Sequence, residues 1–255
     1  MDEITSLFHV KWLVASMIIF LSALLQALTG FGFALIAIPF LTIFFDPHWA
    51  IPLVSCISFF TLSWSVRTVW KDTDKPLLKR LLVGSFVGLP IGGWMIGLFD
   101  HRSFIVVVSL VILFSTFLLF IGPFIQKLME KWTKHDWIFG ALSGLLTSSV
   151  GLPGPPIMLV LSAKIHQRDQ FRATGISFLF FIYPFSLSIF ALNGRMSVDI
   201  APLLLVMIPI AIMGVKVGNC IHNKISPLYF KYLIYLLLFC TGLYSLIKNL
   251  SELII

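Results

Sequence analysis

The chain has 255 residues, of which 58% are hydrophobic and 11% charged, with a mean hydropathy of +1.00. Since a soluble domain has roughly a quarter of its residues charged, this composition excludes an ordinary soluble domain and indicates an all-α polytopic membrane protein. The net charge of +7 comes from basic residues between the apolar stretches, where they set membrane orientation. The expected partner is therefore the lipid bilayer, and nucleic acid is not expected.

Eight apolar segments follow one another along the chain. Most have about 20–23 residues, enough for one crossing of a bilayer. The first and fifth are longer, and each is interrupted, at "TGFGF" (29–33) and at "GLPGPP" (151–156). Depending on how these two fold, the chain has 8–10 membrane segments. The eight segments cover residues 12–45, 49–70, 77–99, 103–125, 137–163, 172–192, 198–219 and 227–247.

The basic residues distinguish two topologies for the long segments. If each crosses once, the 18 Lys and Arg residues divide 11 to 7 between the two sides, and if each returns as a hairpin they divide 14 to 4. Because basic residues concentrate in cytoplasmic loops, we predict a hairpin, either two full crossings or a shallower re-entrant pair. Both termini are then outside, and loops 71–80, 126–136 and 164–172 are cytoplasmic.

Short matches indicate an internal repeat. Glycines recur at an offset of 121 residues, and "ISF" at 57–59 returns at 176–178. These matches predict a first transmembrane repeat (1–125), a cytoplasmic linker (126–136) and a second transmembrane repeat (137–255). In the hairpin topology the two repeats have inverted orientations, as in many secondary transporters, and each opens with a broken helix or re-entrant hairpin. The matched glycines are Gly30, Gly93 and Gly97 with Gly151, Gly214 and Gly218.

The two breaks predict a substrate site. Inverted repeats bring equivalent breaks together near the membrane midplane, where the N–H groups of half-helices favour an anion. Uncharged polar side chains flank both breaks. The alternative is that glycine and proline serve helix packing, and that Ser and Thr bond neighbouring helices. The candidate substrate-binding residues are Gln26, Thr29, Gly30, Phe31, Gly32, Phe33, Thr147, Ser148, Ser149, Gly151, Pro153, Gly154 and Pro155.

The remaining patterns restrict the chemistry. Glycines four residues apart, such as Gly84, Gly88 and Gly92, predict close helix packing and also allow a homodimer. Every Asp, Glu and His lies at a segment edge or in a loop, so no proton relay, metal site or cofactor is expected. Lys216 is the deepest cation. It either reaches back to the cytoplasmic interface or, like Arg67, attracts the anion at the inner mouth.

The motifs resemble those of the TauE/SafE sulfite exporters, also named the toluene-sulfonate uptake permeases. "GFGFALIAIPFL" and "GLPGPPIMLVL" are similar to the family's glycine-proline motifs in the two halves, and "GGWMIG" and "IMGVKVGN" to its later glycine signatures. The resemblance implies transport of sulfur-containing anions across a bacterial or archaeal inner membrane. It also implies a matched site, formed by Gly30, Gly32 and Pro39 with Gly151, Gly154 and Pro155.

The leading hypothesis is thus a secondary transporter that exports small sulfur-containing anions, such as sulfite or organosulfonates, by alternating access. The alternatives are an uptake permease for another small organic anion, a membrane-embedded binding subunit, and an intramembrane enzyme. An enzyme needs a nucleophile with its base, or metal ligands, at membrane depth. The sequence has neither, so no enzymatic activity is expected.

Overall fold

The structure, a computed structural model, describes residues 2–96, 106–111, 113, 114, 117, 135–196, 200–221, 239 and 243. All regular elements in these ranges are helical, which confirms the all-α prediction. Most of the segments predicted at 103–125 and 227–247, and nearly all of the linker at 126–136, lie outside the described residues. The helices are α1 (Asp2–Thr29), α2 (Phe33–Leu41), α3 (Pro47–Val69), α4 (Lys75–Ile96), α5 (Asp136–Val150), α6 (Gly154–Lys164), α7 (Arg168–Leu192) and α8 (Ile200–Ile221).

Four segments within the described residues are long and apolar enough to cross a membrane. They support the prediction of a polytopic membrane protein, while the total of 8–10 membrane segments stays a prediction. The four are Lys11–Thr29, Pro47–Asp72, Arg168–Leu192 and Ile200–Ile221.

The first long segment breaks between α1 and α2. Gly30 and Gly32 have φ angles of 84° and 104°, in the left-handed region that glycine enters without a Cβ penalty. Thr29 stabilises the turn, because its hydroxyl lies 2.8 Å from the Leu25 carbonyl oxygen and 2.6 Å from that of Phe31. The helix therefore stops at this glycine pair, as the sequence predicts.

The second long segment breaks between α5 and α6. Gly151 ends α5 in the left-handed conformation, with a φ of 74°. Pro153 then precedes α6, and Pro155 and Pro156 occupy its first turn. Proline has no N–H and fits best in the first turn of a helix, so this sequence ends one helix and starts the next.

Each broken segment returns to the end of the bundle from which it started. In the first, the Trp12 ring lies 5.2 Å from the ring of Phe45, which follows α2. In the second, the Lys164 ammonium at the end of α6 lies 2.7 Å from the Asp136 carboxylate at the start of α5. These contacts confirm that each segment is a broken hairpin rather than a single crossing.

The returning arms are short. With 9 residues in α2 and 11 in α6, they measure about 14 and 17 Å, against a hydrocarbon core of about 30 Å. The helical part of either arm therefore covers about half of a crossing, which corresponds to the shallower, re-entrant form of hairpin.

The hairpins define two ends of the bundle. The Asp46 end holds Trp12, Phe45 and the start of α3. There burial lowers the pKa of Arg195, while the neighbouring Asp46 carboxylate raises it. The Asp136 end holds the starts of α4, α5 and α7. We predict from the basic residues that the Asp136 end is cytoplasmic.

The glycine runs pack helices within the chain. A Cβ on Gly84 or Gly88 of α4 would lie 1.8 or 1.9 Å from a backbone carbonyl oxygen of α5, and one on Gly214 of α8 would lie 2.4 Å from an α1 carbonyl oxygen. Helices α4 and α5 are thus in backbone contact, as are α8 and α1, which agrees with the packing role predicted for these glycines. A homodimer stays a prediction.

Replacing Asp136 by asparagine should destabilise the second hairpin by about 3 kcal/mol, at the low end for a broken buried ion pair. The Asp136 side chain is 1% exposed and contacts both Lys164 and Arg80. Its neutralisation leaves two cations without their shared anion, although Arg80 is half-exposed and regains water. Thermal unfolding in detergent measures the change. Asp72→Asn, at an exposed carboxylate, is the control, and an equal shift in both variants would contradict the prediction.

Candidate functional site

The two breaks lie at different levels of the bundle. A Cβ on Gly30 would lie 2.7 Å from the Arg172 backbone, and Arg172 is the fifth residue of α7, at the Asp136 end. A Cβ on Gly151 would meet the side chains of Ile51, Ile38 and Ser55, two of which belong to the first turns of α3, at the Asp46 end. Along the bundle axis, the first break therefore lies nearer the Asp136 end and the second nearer the Asp46 end. The residues that follow each break lie side by side in the space between the two breaks.

A small cavity separates the starts of α2 and α6. In its present form it has room for about one water molecule. The first turns of the two half-helices, one residue of α1 and two of α7 form its wall. The lining residues are Gln26, Gly32, Phe33, Ala34, Leu35, Leu152, Pro153, Gly154, Leu179 and Tyr183.

Five of the thirteen predicted site residues line this cavity. They come from both halves of the chain: Gln26, Gly32, Phe33, Pro153 and Gly154. Phe31 lies close by, since its ring would be 4.0 Å from a Cβ on Gly154. The structure thus brings together the residues that directly follow the two breaks.

The other predicted residues surround the breaks without lining the cavity. The Ser148 hydroxyl donates to the Leu89 carbonyl of α4 at 2.7 Å, and those of Thr147 and Ser149 donate to carbonyls one turn earlier in α5. The Ser148 hydroxyl thus bonds a neighbouring helix, which is the alternative that the sequence left open, and the other two hydroxyls bond within α5. The remaining residues, Thr29, Gly30, Gly151 and Pro155, form the breaks themselves.

The half-helices differ in the N–H groups they offer. In α2 the N–H groups of Phe33, Ala34 and Leu35 have no acceptor within the helix, and Gly32 has no side chain to cap them. In α6 the prolines leave only Gly154 with an N–H in the first turn. The positive end of the α2 dipole is therefore the main backbone donor at this cavity.

Buried polar side chains cluster on one side of the cavity. Gln26 accepts a hydrogen bond from the Thr61 hydroxyl at 3.3 Å through its side-chain oxygen. Tyr183 lines the cavity and lies beside Ser58 of α3. The Ser58 hydroxyl is fully buried and finds no partner of hydrogen-bonding geometry among the described residues. Polar side chains of α1 and α7 thus line the cavity, and Thr61 and Ser58 of α3 lie next to them.

Three members of this cluster are absent from the predicted site. Ser58 lies in the repeated "ISF", which the sequence analysis used only as a repeat marker. Tyr183 carries a hydroxyl inside an apolar segment, and such a group needs a partner when buried. That signal singles out Tyr183 from the sequence, whereas nothing in the sequence places Thr61 opposite Gln26.

The chain was compared with known proteins. Residues 15–245 match the family described as "Sulfite exporter TauE/SafE". A protein of Comamonas testosteroni named "Probable inner membrane transporter protein TsaS" is 29% identical over 177 residues, which cover 68% of this chain and 72% of that protein. The search of solved structures gave no match.

Proposed function

The chain belongs to the TauE/SafE sulfite exporter family, and we propose that it is a secondary transporter that exports small sulfur-containing anions. Sulfite and organosulfonates are the proposed substrates, and the proposed location is a bacterial or archaeal inner membrane. The similarity to a protein named as an inner membrane transporter supports both proposals. Uptake of another small organic anion is the alternative for the direction and the substrate.

The observation that carries the proposal is the donor set at the cavity. The first turn of α2 supplies up to three free N–H groups, and Gln26 and Tyr183 add side-chain donors. An oxyanion accepts hydrogen bonds on every oxygen, and a helix N-terminus favours its charge. Since none of the described residues that line the cavity is basic, the anion would be held by neutral donors and could be released again.

The small size of the cavity supports a moving site. With room for about one water molecule, it must widen before a sulfite ion can enter, and α2 and α6 form opposite walls. We propose that the two hairpins separate toward one end of the bundle at a time, which is alternating access.

The contacts between helices support the proposal that the two halves of the chain are inverted repeats. The fourth helix of the first half (α4) packs on the opening arm of the second half (α5), and the fourth helix of the second half (α8) packs on α1 in the same way. Such reciprocal contacts are expected of two inverted repeats related by a two-fold axis in the membrane plane. We therefore propose that residues 1–125 and 137–255 are the two repeats.

An intramembrane enzyme is the competing proposal from another class. The cavity lining contains one phenol and one amide but no carboxylate, imidazole or thiol. Among the described residues, no group of three or more His, Cys, Asp and Glu side chains could hold a metal ion. The donor set is thus suited to binding an anion rather than to proton transfer or metal-assisted hydrolysis.

Replacing Gln26 by leucine should reduce anion transport about 10-fold or more, the effect of losing a hydrogen bond to a charged ligand. Leucine fills a similar space, and Thr61 keeps its hydrogen bond to the Ser58 carbonyl (2.9 Å), so the fold should persist. Charge movement in proteoliposomes on a solid-supported membrane, after jumps in sulfite, sulfate, taurine or methanesulfonate, provides the measurement. Isotope flux detects electroneutral exchange, which moves no net charge and gives no current.

The matched control is Ser149→Ala. Ser149 lies beside the second break, but its hydroxyl is bonded within α5 (2.7 Å to the Leu145 carbonyl) and does not line the cavity. Transport should be unchanged in this variant. A wild-type chain that moves none of the four anions, by current or by isotope, would overturn the proposed function. Equal activity of wild type and Gln26→Leu would overturn the proposed site alone.

A further inference from the structure

A single arginine joins the first break to two other helices. The Arg172 Nε donates to the Ala27 carbonyl in the last turn of α1 at 2.6 Å, and Nη2 donates to the Asn219 side-chain oxygen in α8. The backbone of Arg172 also packs directly against Gly30. Gly30 is two residues before Gly32, a cavity-lining residue. The guanidinium thus lies beside the Asp136 end of the cavity region.

The Arg172 guanidinium has more N–H groups than it has hydrogen bonds to the described residues. A guanidinium has five N–H groups, and two of them bond to the described residues. No carboxylate of the described residues forms an ion pair with it, although Asp169 and Arg168 lie within electrostatic reach and have opposite effects on its charge. A partly buried arginine that bonds only neutral oxygens in the described part of the chain can exchange them for those of an anion.

The two other candidate cations at this end are placed differently. Lys216 is exposed and lies 5.6 Å from the centre of the Trp64 ring, and Arg67 is also exposed. Neither is bonded to a broken hairpin by a described contact. Attraction of the anion by these residues was the alternative to a role at the interface, whereas the described contacts place Arg172 at the break.

The two breaks differ in whether a described contact joins them to an arginine. At the Asp46 end, a Cβ on Gly151 would meet two isoleucine side chains and one serine. At the Asp136 end, the equivalent glycine packs on an arginine. A guanidinium binds oxyanions with paired N–H groups, which a point charge such as lysine does not reproduce.

We propose that Arg172 is the docking residue for the anion at the Asp136 end of the pathway. This proposal rests on the proposed function. In the closed arrangement, Arg172 binds the end of α1 and Asn219 and thereby holds the first hairpin against α7. When the hairpin moves, the sulfite or sulfonate oxygens replace the Ala27 and Asn219 oxygens, and the anion passes from Arg172 to the N–H groups of α2. The docking is specific to one end, because the described contacts of the other break, at Gly151, are with Ile51, Ile38 and Ser55 and include no cation.

The test is side-resolved transport by Arg172→Gln. Proteoliposomes with protein of known orientation receive sulfite or methanesulfonate from one side at a time, and KM is measured from each. We expect KM for the anion presented at the Asp136 end to rise about 10-fold or more, and KM from the Asp46 end to stay within about 2-fold. Arg172→Lys should give an intermediate KM, because it keeps the charge but loses the paired N–H groups.

The control is Arg168→Gln, which removes an exposed charge one turn earlier in the same helix. If its effect on KM equals that of Arg172→Gln, the residue acts only through the general charge of this end, and the proposal is overturned. An equal fall in rate from both sides with unchanged KM would show that Arg172 only positions the hairpin. If Arg172→Gln does not fold, an Arg172→Lys variant with unchanged KM from both sides overturns the proposal. A wild-type chain that transports no anion would overturn the proposed function and this proposal together.

Discussion

Replacing Gly88 by alanine is expected to prevent the chain from folding stably. The new Cβ would lie 1.9 Å from the Ala141 carbonyl oxygen and 2.8 Å from the Leu145 nitrogen, all backbone atoms of α5. A carbon and an oxygen in contact are normally about 3.3–3.6 Å apart, so α4 and α5 would have to separate by more than 1 Å. The expected cost is about 3 kcal/mol or more, the upper range for overpacking a core.

The separation also breaks the hydrogen bonds that cross this interface. The Ser85 hydroxyl donates to the Gly140 carbonyl at 2.9 Å, and the Ser148 hydroxyl to the Leu89 carbonyl at 2.7 Å. Size-exclusion chromatography and the thermal midpoint in detergent measure the loss. The control is Val87→Leu, which adds one methylene group at the neighbouring, exposed position of α4. A Gly88→Ala protein as stable as Val87→Leu would show that the helices are not in this contact.

The hairpins could be predicted from the sequence because two independent signals agree. The segment lengths and the glycine-proline interruptions mark 29–33 and 151–156 as breaks, and the distribution of Lys and Arg favours a return over a crossing. The structure places the breaks within these stretches. The depth of the returning arms was left open, since apolar residues such as those of 33–45 fit a helix of 9 residues and one of 13 equally well.

The site was predicted less completely, because it depends on contacts between distant segments. Residues directly after a break, such as Gly32 and Gly154, were found because the break itself marks them. The hydroxyl of Ser148 was assigned to the cavity since nothing in the sequence shows that this face of α5 packs against α4. From the sequence, Arg172 is one of several basic residues of a cytoplasmic loop, because its bond to Ala27 joins residues 145 positions apart.

The sequence also treats the two breaks as equivalent, whereas their donors differ. The repeat matches Gly30 to Gly151 and predicts that both half-helices present N–H groups to an anion. The prolines at positions 153, 155 and 156 remove all but one of these groups from the first turn of α6. The composition of "GLPGPP" contains this information, and counting N–H groups rather than glycines and prolines would have revealed it.

Replacing Gly154 by valine is expected to abolish transport, about 100-fold or more, while the protein still folds. A Cβ at this position meets only flexible side-chain atoms, Leu35 Cδ1 at 3.3 Å and the Phe31 ring at 4.0 Å. The added methyl groups would occupy a cavity with room for about one water molecule and would hold α2 and α6 apart in a fixed position. Overpacking by about 3 kcal/mol in the anion-bound state, the upper end for added methylenes, gives a reduction of about 100-fold in affinity.

The contrast with Gly30 makes this prediction specific to the cavity. Gly30 has a φ of 84°, and a Cβ there would lie 2.7 Å from backbone atoms of Arg172, so Gly30→Val should impair folding and transport together. Gly154→Val should give a wild-type elution profile, a thermal midpoint within a few degrees of wild type and no sulfite or methanesulfonate current. Gly154→Ala, with one methyl group, should retain part of the activity.

Full transport by Gly154→Val would show that the anion does not pass between α2 and α6. Misfolding of both valine variants would show instead that the two breaks have the same packing role.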